Sequence, residues 1–341
     1  MSLNVFVTGG AGYVGSVLVK NLILRKHKVT IVDRMFFGTD SLKDFETNVD
    51  FCVKKIDIRD IVPKDLEGFD AVIDLAALSN DPAGDLDPNL TFDINENGRV
   101  NIAKCAKEAG VLKYVLSSTC SVYGGSEEIC DEDSKANPLS VYAQAAHNAE
   151  KRILQLFERG TFEPTIFRNG TVHGLSPRMR FDLVINVMVK NAFQYGEINV
   201  LGSGIQWRPL IHTEELANSF ILAVEDQGGK IGGEIFNIAT ENQQISTLAF
   251  KIRDALPIHV KINKIPQDED RRDYRVSTSK AESVGLLNSA LSIGESAIQI
   301  YSALLNGLSA DTEKFITVNW YKKIIEARKL LDEIELNGRL I

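Results

Sequence analysis

Three glycines at fixed spacing are the strongest chemical signal in this chain. Thr8-Gly9-Gly10-Ala11-Gly12-Tyr13-Val14-Gly15 contains G-x-x-G-x-x-G through Gly9, Gly12 and Gly15. Glycines there permit a tight turn, let backbone approach a pyrophosphate, and let a helix pack close against a strand. The helix that Tyr13 and Val14 open aims free N–H groups and partial positive charge at the anion. Asp33 lies 18 residues beyond Gly15, at the end of the next strand-like run. A carboxylate there accepts a hydrogen bond from a ribose 2′-hydroxyl and repels a 2′-phosphate. The combination points to NAD over NADP, tempered by Arg34, a residue type that can accept a 2′-phosphate. A second signal is the arginines. Arg178 and Arg180 follow Ser176-Pro177, Arg208 follows Trp207, and Arg271, Arg272 and Arg275 cluster. Arginine suits bidentate phosphate contacts, so these are candidates for holding a diphosphate.

The elements that must position these residues follow from hydrophobic patterning. Residues 3–8 (LNVFVT) read as a short buried strand before the glycine turn, and 29–32 (VTIV) as the strand ending at Asp33. Apolar or β-branched runs recur at 49–56, 70–75, 114–116 and 165–167, with helical stretches at 88–109 and 142–158 between them. Strands alternating with helices imply α/β architecture: a Rossmann doubly wound parallel sheet covered on both faces. Beyond about residue 170 the pattern changes to apolar helical stretches (183–195, 213–225, 247–255) and short strands (197–201, 234–238). The expected division is a nucleotide-binding domain over 1–170, a smaller interleaved α/β substrate domain over 171–310, and a terminal helix over 311–341. That helix is expected to be scaffold or an oligomer contact rather than part of the chemistry.

Bulk properties exclude several classes. The chain has 341 residues and a net charge of −8, so it lacks the basic footprint that nucleic-acid binding requires. No apolar run approaches the roughly 18 residues of a membrane span, and no signal peptide is visible. Cys52, Cys105, Cys120 and Cys130 show no C-x-x-C spacing. They read as free buried thiols of a cytoplasmic protein, and no metal site is expected.

Five motifs in order resemble the extended short-chain dehydrogenase/reductase family, in its nucleotide-sugar epimerase and dehydratase branch. The likeness spans roughly residues 3–285. It rests on the glycine turn, Asp57-Ile58-Arg59-Asp60, Leu75-Ala76-Ala77, Asn95, and Ser117-Ser118-Thr119-Cys120-Ser121-Val122-Tyr123-Gly124. The resemblance implies that Asp57 meets the adenine amino group, beside Ile58. It implies that Leu75, Ala76 and Ala77 form a turn against the cofactor, and that Asn95 braces the active site. Thr119 takes the place of the catalytic Ser/Thr, and Tyr142 that of the catalytic Tyr. Arg208, in Trp207-Arg208-Pro209-Leu210-Ile211-His212, matches an Arg that contacts substrate diphosphate; Arg180, Arg271 and Arg272 are further candidates. Thr171 stands where many relatives carry a phosphate-contacting Asn, for which Asn169 can compensate. His173 replaces an aromatic that packs. Residues 197–202 resemble the strand that meets the nucleotide base.

The chemistry so implied moves a hydride between a sugar carbon and nicotinamide while Tyr142 takes the hydroxyl proton. A tyrosine does this only if its pKa falls well below about 10, which nearby positive charge achieves. The family obtains that charge from a Lys four residues on, on the same helix face. Here that position is Ala146, and His147 projects roughly 100° away around the helix. Two readings stay open: an enzyme whose Lys has been replaced by Ala, or a protein that naturally lacks it. Cys120 and Ser121, beside Thr119, are further candidates for proton transfer. The 4,6-dehydratases carry an Asp-Glu pair at these two positions, so dehydration is not expected. Glu127, Glu128, Asp131, Glu132 and Asp133 read as a solvated loop. The expected function is an NAD-dependent nucleotide-sugar epimerase working through a transient keto-sugar. The alternatives are a nucleotide-sugar ketoreductase or dehydrogenase, and a redox-dead NAD-binding sensor. The family also implies a homodimer through the helices at 88–109 and 142–158.

Overall fold

The computed structural model describes residues 2–266, 272–288, 291–336 and 339; Arg271 lies outside them. Its centre is a seven-stranded parallel sheet. In spatial order the strands are Ile235–Ile238, Glu163–Asn169, Lys113–Thr119, Ala71–Asp74, Asn4–Thr8, Lys28–Asp33 and Phe51–Lys55. Val5, Phe6, Val7, Val72 and Ile73 are all 0% exposed, as a sheet covered on both faces requires. The Tyr13–Leu24 and Thr213–Glu225 helices pack together on one side of this core. On the other side Val100, Ile102, Ala103, Ala149 and Ile153 cover Phe6, Tyr114 and Ile166.

The strand order reverses between Asn4–Thr8 and Ala71–Asp74, and a doubly wound sheet binds its ligand at the carboxyl ends beside such a point. Buried polar groups fix the two loops there. Thr8 Oγ1 donates to Asp74 Oδ1 (2.6 Å) and accepts from the Leu75 and Ala76 N–H groups (both 3.1 Å). Tyr114 Oη donates to the other Asp74 oxygen (2.6 Å). Gly9 (φ +68°) then passes so close that a Cβ on it would lie 3.0 Å from the Ala76 nitrogen. Asn95 closes the next loop by accepting from Leu78 N–H (2.9 Å) and donating to Leu78 O (3.0 Å).

The second region interleaves with the first. Ile235–Ile238 joins the edge of the large sheet, in parallel register with Glu163–Asn169. A three-stranded sheet of Glu241–Gln244, Trp207–His212 and Thr171–His173, and a pair of Lys261–Ile265 with Glu197–Leu201, surround a separate core that includes Met188, Leu248, Ile252 and Ile300.

Three expectations change. The acidic stretch read as a loop contains a strand, Gly125–Cys130, paired with Asp273–Val276, because its carboxylates sit on a solvated edge. The 88–109 helix is interrupted by a wider turn at Asp93–Gly98, which delivers Asn95 inward. Cys52 is exposed, whereas the other three cysteines are buried and all four are free. Among the described residues no helix is long and apolar enough to cross a membrane.

Candidate active site

One cleft of about 630 Å³ runs along the carboxyl ends of the large sheet and under the second region. At one end lies the glycine turn. Gly12 caps the Tyr13–Leu24 helix and offers no side chain to its first N–H groups. A Cβ on Gly15 would sit 2.3 Å from the Gly9 carbonyl oxygen, so the turn admits only glycine there. Gly9, Gly12, Tyr13, Val14 and Gly15 line the cleft with Asp33, Arg34, Asp57, Ile58, Leu75, Ala76 and Ala77. Asp33 is held by the N–H groups of Ala11 (3.1 Å) and Met35 (2.7 Å), and burial pushes its pKa up. Arg34 is directed to Asp57 (2.6 Å) and lies 4.8 Å over the Phe36 ring. Arg59, then Arg34, hold the Asp57 carboxyl well below the usual carboxylate range. These residues fit NAD. The glycine cradle leaves backbone N–H groups for a pyrophosphate, Asp33 presents a carboxylate to a ribose, and Ile58, Leu75 and Ala76 offer apolar walls.

Further along stand Thr119, Ser121 and Tyr142. Tyr142 enters from the second residue of the Val141–Leu154 helix, whose N-cap Ser140 accepts from Ala143 N–H (3.2 Å). Burial raises the Tyr142 pKa, and the Asp81 carboxylate adds to this. Arg99, Thr119 and Arg180 act in the opposite direction and do not overcome it. Ala146 is 1% exposed and packs among Cys120, Val122, Tyr123, Cys130 and Tyr274, off the cleft wall. His147 faces Glu150 (3.6 Å), away from Tyr142. Cys120 does not reach the cleft. Its thiol donates to the Arg168 carbonyl (3.0 Å) and burial drives its pKa up, which removes it from the proton-transfer candidates.

Toward the second region the cleft is lined by Asn169, Thr171, Arg180, Asn199, Gln206, Arg208 and Arg272. Asn169 Nδ2 donates to Ser117 Oγ (2.8 Å), while its buried Oδ1 has no partner among the described residues. Arg180 is committed to its own chain: its guanidinium takes both Asp182 oxygens (3.0 and 2.8 Å) and Ser79 (3.0 Å). It ties two loops together while still lining the cleft. Arg208 reaches the Trp207 carbonyl (2.8 Å) and that of Arg272. Arg272 forms an ion pair with Asp81 across the cleft.

Sequence reasoning missed Asp81, Tyr274, Thr317 and Tyr321. Asp81 is 8% exposed and accepts from Ser140 Oγ (2.5 Å), Ser121 Oγ (3.4 Å) and Arg272. Tyr274 Oη lies 3.4 Å from Ser121 Oγ. Thr317 and Tyr321 belong to the C-terminal helix, Thr317–Ile334, whose first turns line the cleft. Tyr321 packs on Phe36, Phe37 and Leu78, and Trp320 Nε1 donates to the Phe36 carbonyl (2.7 Å). The helix is therefore part of the site wall and not scaffold alone. No local motif marks any of these four residues. The one available signal was the Asn80-x-x-Ala83 cap that sets Asp81 at the start of a short helix.

Residues 5–239 match the NAD dependent epimerase/dehydratase family, and the chain belongs to it. NAD is the cofactor of that family, as the glycine turn and Asp33 require. The chain is 28% identical over 251 residues to UDP-glucuronate 4-epimerase of Thermodesulfobacterium geofontis (strain OPF15), covering 70% of this chain and 76% of that one. It is 26% identical over 260 residues to UDP-glucose 4-epimerase of Lactobacillus helveticus, covering 70% and 77%. Its fold is that of UDP-N-acetylglucosamine 4-epimerase from Methanobrevibacter ruminantium M1, solved with UDP-N-acetylmuramic acid. That match has a TM-score of 0.81 at 23% identity, covering 90% of this chain and 99% of the other.

Proposed function

We propose that the protein is an NAD-dependent nucleotide-sugar epimerase whose proton-transfer site lacks its cation, with Ala146 standing where the working enzyme has Lys. One observation carries this reading. The glycine turn with Asp33, the Thr119–Tyr142 pair, and Arg208 with Arg272 all open onto one continuous cleft. That is the layout for holding a dinucleotide end to end with a second diphosphate. The similarity to UDP-sugar epimerases supports the same substrate class. When bound, NAD supplies the hydride acceptor that oxidises a sugar carbon and the donor that reduces it again. Tyr142 takes the proton from the hydroxyl of that carbon, Thr119 orients the same oxygen, and Arg208 holds the diphosphate. A keto-sugar re-reduced on its other face is the epimer.

The decisive experiment is to make Ala146→Lys, identify the co-purified cofactor, and follow UDP-, GDP-, CDP- and dTDP-sugars by NMR. The expected result is an epimer appearing at least about 100-fold faster than with the parent chain. Tightly retained cofactor accompanies an epimerase, whereas net consumption of NAD or NADH establishes the dehydrogenase or ketoreductase reading. A second reading, a redox-silent NAD-binding protein, draws on the raised Tyr142 pKa and the tight apolar surroundings of Ala146. No turnover by Ala146→Lys with any of these sugars would establish it.

A further inference from the structure

Arg178 is a buried cation that no carboxylate of the described residues touches. It is 5% exposed, yet among the described residues no carboxylate lies within ion-pair distance of it. Its counterparts Arg168, Arg180 and Arg272 are paired with Glu150, Asp182 and Asp81. The Arg178 Nη2 donates to the Lys314 carbonyl (3.2 Å) and Thr317 Oγ1 (2.9 Å), and the guanidinium carbon lies 3.5 Å from the Phe37 ring centre. Its Nε is buried with no partner. Burial and then the neighbouring Arg180 push its pKa down to about 10, and the Asp182 and Asp33 carboxylates, which act on it without touching it, offset this only in part, so an anion that reaches the guanidinium would complete the site.

Three sets of contacts decide which anion. Ser176 Oγ donates to the Tyr13 carbonyl (2.7 Å) and lies 3.0 Å from Ser16 Oγ, while Tyr13 Oη donates to the Gly174 carbonyl (2.6 Å). The loop carrying Arg178 is thus fastened to the first turn of the helix that follows the glycines. Phe37, on which the guanidinium stacks, follows Asp33 by four residues. Thr317 opens the C-terminal helix. Arg178, Asp33, Tyr13, Phe37 and Thr317 all line the cleft.

We propose that Arg178 pairs with the pyrophosphate of the bound dinucleotide, and that the C-terminal helix is the clasp that holds it in place. The proposal rests on NAD being the cofactor. A 2′-phosphate is the poorer match because the Asp33 carboxylate repels it, and the substrate's diphosphate is served by Arg208. The N–H groups of the glycine turn and the Arg178 guanidinium then flank the pyrophosphate, one from each lobe.

The test is binding and not turnover. NADH is titrated by fluorescence, and ADP-ribose, adenosine and UDP by calorimetry, on the parent chain and on Arg178→Gln, Arg178→Lys and Thr317→Val. Arg178→Gln is expected to weaken NADH and ADP-ribose roughly 10- to 100-fold while adenosine and UDP are unchanged. Arg178→Lys keeps the charge without the fork and falls between, and it decides the matter should Arg178→Gln not fold. Thr317→Val shifts NADH binding a few-fold in the same direction. Equal losses for adenosine and ADP-ribose, a loss confined to UDP, or no loss at all would each overturn the proposal. A parent chain that binds neither NADH nor ADP-ribose overturns the NAD assignment itself, and this proposal with it.

Discussion

At residue scale the open question is what lets Tyr142 lose its proton. Burial and Asp81 both keep that proton on, and Arg99 and Arg180 only partly offset them. A group that acts as a base works above its pKa, so the parent chain is expected to have its rising limb at alkaline pH. Placing Lys at 146 adds a positive charge that favours the tyrosinate, and the limb moves to lower pH. In that background Asp81→Asn removes a negative charge beside Tyr142 and moves it lower still. Profiles of kcat/KM against pH check both shifts, and a limb that ignores both substitutions means that Tyr142 is not the base. Gly9, Gly12, Gly15 and Asp33 were legible in the sequence because backbone geometry and ribose chemistry each demand one residue type at one spacing. Asp81 was not. It meets Ser140 across 59 residues of chain and Arg272 across 191, and only the folded sheet ends bring them together.

At the scale of elements, the strand–turn–helix unit tolerates nothing larger than hydrogen at Gly15. Gly15→Ala places a methyl 2.3 Å from the Gly9 oxygen. It is expected to cost about 1–3 kcal/mol in urea unfolding and to weaken NADH binding in a fluorescence titration. The short sheet carrying Thr171–His173 makes a different prediction. His173 is 1% exposed, its Nδ1 lies 2.9 Å from Ser296 Oγ, and burial followed by His212 pushes its pKa down to about 3. The unfolded chain, with a His value of ~6.5, binds that proton first. The stability His173 contributes is therefore full above about pH 6.5 and lost as pH falls toward 3. His173→Phe is expected to flatten that part of the acid slope, measured by urea midpoints across the window. Most elements of the large sheet were readable from apolar runs, since parallel strands are buried on both faces. The Gly125–Cys130 strand was not, because Glu127 and Glu128 face solvent and mimic a loop. The Ile293–Leu305 helix carries a legible start in its sequence, the capping box of Ser292 and Glu295.

At the scale of the whole molecule, the two regions cannot be cut apart at residue 170. Ile235–Ile238 completes the large sheet, and Phe236 buries Phe167. A chain ending at 170 is expected to expose the Glu163–Asn169 edge and to aggregate, which light scattering on the isolated segment would reveal. The C-terminal helix has the complementary role. Removing residues 311–341 strips Tyr321 from Phe36, Phe37 and Leu78. The shortened chain is expected to melt at lower temperature and to lose its cofactor on gel filtration. The same helix also sets an order of events during synthesis. Gly15 leaves the ribosome roughly 300 residues before Thr317, which at about 5–20 residues per second is roughly 15 to 60 s. Only in the last part of that interval, once Ile235–Ile238 has closed the large sheet, can a nascent chain have the floor of the dinucleotide cleft without its proposed clasp. On the proposed clasp, cofactor met then is expected to exchange freely, with lasting capture beginning only once translation has passed Tyr321. Thereafter the exchange rate of NAD is expected to follow the rate at which that one helix lifts off.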